Sequence, residues 1–175
     1  MTRKNFSAEK GKESEVSLYV LKNENYDDLL KNFIDESEKK DSSICFISVR
    51  TPHDEIKKLC SNPNIYFIDF LGSTTHSEDL NCVYLSKISE AELSKALKTA
   101  CMNKKYSHII LDNASTLLHF EQGFEIQKLA NSFKTNYQGI KKIILVSQDD
   151  DLVQGELKKL MKDLELFADN LIVLD

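Results

Sequence analysis

Asp112 is the first residue whose type and position invite chemistry. It closes the run Ser107-His108-Ile109-Ile110-Leu111-Asp112, so a carboxylate stands where a short apolar segment ends and Asn113 begins a turn. In an open α/β sheet the carboxyl ends of strands face the ligand crevice, where a hard cation such as Mg²⁺ takes oxygen ligands. Asp112 is therefore the candidate metal ligand. Arg50, Ser115, Ser147 and Gln148 are the polar residues that would join it around a nucleotide or another anion. The same carboxylate would serve equally to start the turn. Asp149, Asp150 and Asp151 form a second acidic group, read as supplying a helix cap before a cation site. His53, His76, His108 and His119 lack metal-ligand spacing, and His53 with Cys60, one helical repeat apart, makes only two ligands. Neither Ser115 nor Ser147 sits in a G-x-S-x-G elbow, so no catalytic residue is expected.

These residues hang on a regular alternation. Val16 to Leu21, Ser43 to Val49, Ile65 to Phe70, Ser107 to Leu111, Lys142 to Ser147 and Leu171 to Leu174 read as strands. Their apolar residues are nearly continuous, as in strands covered on both faces. Between them lie helical stripes. Tyr26, Leu29, Leu30, Phe33 and Ile34 form one behind an Asn25 cap, and Ile56, Leu59 and Cys60 line another. Thr51-Pro52-His53-Asp54 predicts the start of that second helix, with Thr51 as cap and Pro52 in the first turn. A third helix begins near Ser89 and buries Leu93, Ala96, Leu97 and Ala100; a fourth buries Ile126, Leu129, Ala130 and Phe133; a last one buries Val153, Leu157, Leu160 and Leu164. Strand and helix alternate throughout, which predicts an α/β domain, a three-layer αβα sandwich on a mainly parallel sheet. The Gly72 to Asp79 stretch breaks the rhythm as a polar loop, and Cys82 to Leu85 reads as a short extra strand.

The 175 residues suit one domain, expected over 16–175 behind a flexible tail at 1–15. A net charge of −5 with interspersed lysines disfavours nucleic acid as a partner. No apolar stretch approaches the roughly 20 residues of a membrane span, and the first residues lack a secretory h-region. A cytoplasmic location is expected. Cys45, Cys60, Cys82 and Cys101 stand singly among apolar residues without C-x-x-C spacing, and read as reduced thiols in or near the core.

Several segments together resemble the KaiC-like branch of the RecA superfamily. They are Leu111-Asp112-Asn113-Ala114-Ser115-Thr116-Leu117-Leu118 before a helix, the Lys142 to Val146 strand, and Phe167-Ala168-Asp169-Asn170-Leu171-Ile172-Val173-Leu174. Thr51-Pro52-His53-Asp54-Glu55-Ile56 is similar to that branch's second helix start, and Leu85 to Leu93 to the stretch before its magnesium-binding strand. The resemblance implies a RecA-like central sheet with Asp112 in the magnesium position. The chain departs from the pattern where hydrolysis would need it. ATP-hydrolysing members carry G-x-x-x-x-G-K-[ST] after the first strand, whose backbone N–H groups close around the phosphates. Lys22 to Leu30 contains no glycine, and Arg50 and Thr51 stand where the resemblance calls for a catalytic glutamate.

Without that cradle, positioning and charge neutralisation of a triphosphate both fail. The expectation is a noncatalytic, pseudo-ATPase domain without a cofactor, acting in regulation or signalling by binding a protein partner or itself. The alternative is a nucleotide- or anion-binding protein, with Mg-nucleotide held near Asp112, Ser115, Ser147 and Arg50. A receiver-like reading is disfavoured because the first strand ends in Lys22-Asn23 and not in an acidic pair.

Overall fold

Each apolar run becomes a strand, and its alternate side chains enter two separate cores. The computed structural model describes residues 15–21, 25–38, 43–60, 64–72, 80–87, 89–120, 126–136, 139–148, 162 and 168–174. In chain order these form β1 (Glu15–Leu21), α1 (Tyr26–Glu38), β2 (Ile44–Ser48), α2 (His53–Leu59), β3 (Ile65–Asp69), β4 (Cys82–Tyr84), α3 (Glu90–Asn103), β5 (His108–Asp112), α4 (Ala114–Phe120), α5 (Ile126–Asn136), β6 (Lys142–Gln148) and β7 (Asn170–Leu174). Glu15, the last residue of the expected tail, instead opens β1 opposite Lys142. Residues 1–14 of that tail, the residues 73–79 of the polar loop, Asp149 to Asp151 and most of the expected last helix lie outside the described residues.

The strands make one seven-stranded sheet in the order β4-β3-β2-β5-β6-β1-β7, and every pairing is parallel. Consecutive parallel strands need crossovers, and the helices that supply them cover both faces. On one face, Leu29, Leu30, Phe33 and Ile34 of α1 and Ile56 of α2 pack on Ile44, Phe46, Phe67, Ile110 and Ile144. On the other, Leu93, Leu97 and Ala100 of α3, Leu117 of α4 and Leu129 and Phe133 of α5 pack on Leu18, Cys45, Ile47, Ile109 and Leu145. Neighbours such as Cys45 and Phe46 thus serve opposite layers, as the two-residue period of a strand dictates. The result is the expected three-layer αβα sandwich.

Two helix starts show what local sequence decides and what it does not. α3 begins beside Ser89 as expected, and Ser89 caps it, its side chain accepting the Glu92 N–H at 3.3 Å. At α2 the expected Thr51 cap does not form. Pro52 takes the cap position in extended geometry without a side-chain cap, and the helix begins at His53. Thr51 is drawn away by contacts to residues distant in sequence.

Candidate functional site

Those contacts belong to Asp112. In register, Ser48 of β2 faces Asp112 on one side and Asp69 of β3 on the other, so two strand-end carboxylates flank one serine. The chain leaving β2 turns back across Asp112. The Val49 and Arg50 N–H groups donate to the Asp112 carbonyl at 2.5 and 3.3 Å, and the Thr51 N–H donates to Oδ2 at 3.2 Å. The Ser48 hydroxyl fixes this turn by donating to the Thr51 carbonyl at 2.7 Å.

Tyr26 covers the arrangement. It is the first residue of α1 and is buried. Its hydroxyl lies 3.2 Å from Thr51 Oγ1 and hydrogen-bonds the Asp112 side chain. The Arg50 guanidinium stacks over its ring at 5.0 Å from the centroid, a cation–π contact. Asp112 is 0 % exposed. Burial pushes its carboxyl up to about 7, against the lowering influence of the Tyr26 hydroxyl, the Thr51 N–H and the Arg50 charge. Burial, then the negative charge of Asp112, push the Tyr26 phenol upward in turn.

The other candidates divide. Ser147 is fully buried on β6, next to β5, and among the described residues its Oγ and Asp112 Oδ1 have no hydrogen-bond partner. Ser115 is turned away, its N–H and hydroxyl both donating to Asn113 Oδ1. Asn113, not Asp112, therefore starts the turn into α4. Arg50 belongs to the Asp112 group through Tyr26. Gln148 ends β6, and its side chain lies outside the described residues.

A second polar group lies at the carboxyl end of β3. His53 is buried; its Nδ1 lies 2.9 Å from Asp69 Oδ2, and its backbone N–H donates to the same oxygen at 3.0 Å. Asp69 Oδ1 accepts the Leu71 N–H at 2.7 Å. His53 Nε2 faces Asp54 Oδ1 at 2.9 Å and the Tyr84 hydroxyl at 3.1 Å. Cys60, weighed above beside His53, instead donates its thiol to the Ile56 carbonyl at 3.2 Å. The sequence reading passed over Asp69, although Ile65-Tyr66-Phe67-Ile68-Asp69 repeats the apolar run and terminal aspartate that marked Asp112. All four cysteines are free thiols, and no helix among the described residues is long and apolar enough to cross a membrane.

The fold is similar to that of a solved structure, the flagellar accessory protein FlaH from Methanocaldococcus jannaschii. The match has a TM-score of 0.57 at 13% identity and covers 86% of this chain and 68% of that one. The fold is RecA-like. At that identity the likeness speaks for the fold alone, and a RecA-like sheet hosts many functions. No protein-family model matches the sequence, and no curated protein matches it. The RecA-like frame puts Asp112, Ser147 and the turn after β2 at the strand ends where such sheets receive ligands.

Proposed function

We propose that this RecA-like domain works without turnover, as a pseudo-ATPase module that regulates by binding a protein partner or a second copy of itself. One observation carries the reading: among the described residues the Asp112 side chain is fully buried beneath the chain's own groups. The Thr51 N–H donates to its Oδ2, and the Tyr26 hydroxyl lies 3.2 Å from Thr51 Oγ1. The absence of glycine from Lys22 to Leu30 supports the same reading. Val173 on β7 and Leu80 ahead of β4 expose apolar side chains at opposite edges of the sheet, where a further chain would dock. The test is a phosphate-release assay on the purified chain with Mg-ATP, alongside light scattering across a concentration series. Hydrolysis that Asp112→Ala abolishes would overturn the noncatalytic reading; a monomer at every concentration would remove self-association and leave a different protein as partner.

A second reading draws on Ser147 Oγ, buried at the end of β6 without a hydrogen-bond partner among the described residues. Buried polar atoms are costly without partners, and a nucleotide or other anion would meet that hydroxyl on the sheet face opposite the Asp112 side chain. Under it, ATP, GTP or a cyclic nucleotide at about a hundred times its dissociation constant raises stability by about 2.7 kcal/mol. A flat thermal-shift series across all of them refutes it.

A further inference from the structure

We propose that His53, Asp69 and Cys82 bind a zinc ion at the carboxyl end of β3, through a His53 ring nitrogen, a carboxylate oxygen of Asp69 and the Cys82 sulfur. One ligand atom from each residue lies within 4.8 Å of the others. Tetrahedral zinc with bonds of about 2.0 to 2.3 Å holds its ligands about 3.3 to 3.8 Å apart. The cluster is therefore within about 1 Å of closure. His53 Nδ1 and Asp69 Oδ2 lie 2.9 Å apart, so on binding they part slightly while Cys82 moves inward.

The surroundings have the form of a metal centre's support. A ligating histidine donates its other ring N–H to a carboxylate, which fixes the tautomer. With Nδ1 on the metal side, Nε2 faces Asp54 Oδ1 at 2.9 Å. Asp69 is held independently by the Leu71 and His53 N–H groups, so its position does not depend on the ion. The Tyr84 hydroxyl lies 3.1 Å from His53 Nε2, and its ring meets the His53 ring edge-on at 5.2 Å. Cys82 and Tyr84 are half-buried, which leaves an approach from solvent, while His53 and Asp69 are enclosed.

The donor set selects the ion. Nitrogen with sulfur suits borderline-soft zinc over magnesium or calcium. A nucleophilic role for Cys82 is disfavoured by the same surroundings. Burial, followed by the Asp69 charge, pushes its thiol up to about 12, although the Tyr84 hydroxyl and the Lys57 charge act the other way. A divalent cation reverses that balance and takes the sulfur as thiolate. On binding, the Cys82 thiol loses one proton to solvent, and a His53 ring that ligates through Nδ1 carries its N–H on Nε2, from where it donates to Asp54 Oδ1. The dication is then neutralised by one thiolate and one carboxylate. This proposal does not depend on the Asp112 reading, and its test involves neither nucleotide nor turnover.

The experiment titrates Zn²⁺, and Co²⁺ as a visible probe, into the reduced full-length chain. The expected result is one ion per chain, about one proton released, a thiolate-to-Co²⁺ charge-transfer band, and a rise in Tm. Cys82→Ser, a near-isosteric change, should abolish the band and weaken binding at least tenfold, whereas Cys60→Ser should retain both. Asp69→Asn should weaken binding with the band kept. No band in the wild-type chain, or a band that survives Cys82→Ser while circular dichroism shows both chains folded, overturns the site.

Discussion

Removing the charge of Asp112 tests the closed crevice directly. In the unfolded chain this carboxyl titrates near its ordinary value of 3.8, and in the folded chain burial pushes it up to about 7. Between those values the folded state holds a proton that the unfolded state has lost, so stability falls as pH rises through the window. The contribution is fully present below about 4 and gone above about 7. From pH 5 to pH 8 roughly two pKa units of the window are crossed, worth about 2.7 kcal/mol at 1.36 kcal/mol per unit. Asp112→Asn keeps an oxygen acceptor for the Thr51 N–H and cannot ionise. Urea unfolding of both chains at pH 5 and pH 8 isolates the effect, because every other titrating group cancels in the difference. The variant should gain about 2.7 kcal/mol on the wild type between the two pH values. A difference that stays within about 0.5 kcal/mol would show that Asp112 titrates alike in the folded and unfolded chains, and would refute the burial of this carboxyl on which the proposed reading rests.

Two further substitutions probe contacts that hold the strand ends. A Cβ at Gly72 would fall 1.9 Å from Tyr84 Cδ1, so Gly72→Ala should displace that ring and cost about 1 to 3 kcal/mol, read by urea unfolding and by the tyrosine signal in near-UV circular dichroism. Asp169 Oδ2 accepts the Val16 N–H at 2.7 Å, and Asp169→Ala should cost about 1.5 to 3 kcal/mol as a charge-assisted bond is lost; no change in Tm would show that water replaces the carboxylate freely.

The framework was legible because burial on both faces leaves a strong mark. A run such as Ile44-Cys45-Phe46-Ile47 has apolar residues at every position only when each face meets a helix, and the observed strand lies within a residue of the expected one at each end. A helix start set by neighbours in sequence was equally readable, as near Ser89. What sequence reading missed is non-local. Thr51 has the type and spacing of a helix cap, yet its N–H serves a carboxylate 61 residues away. His53 looked toward Cys60 on its own helix, but the parallel pairing of β3 with β4 brings Asp69 beside Tyr84 and His53 into their company. Tyr26 read as one more apolar residue on the α1 stripe, and only the order β2-β5-β6-β1 makes it a cover for Asp112. Register across the sheet, not residue type, decides these roles.

The last strand of the described chain lies against the first. β7 lines up with β1 from Ser17 and Asn170 to Leu21 and Leu174, and the Asp169 N–H donates to the Val16 carbonyl at 2.8 Å. During synthesis β1 must therefore wait for residues 170–174 before its outer side is satisfied. A polypeptide cut short before Asp169 would bare a ribbon of unpaired amides along β1, the kind of template on which identical nascent chains stick to one another.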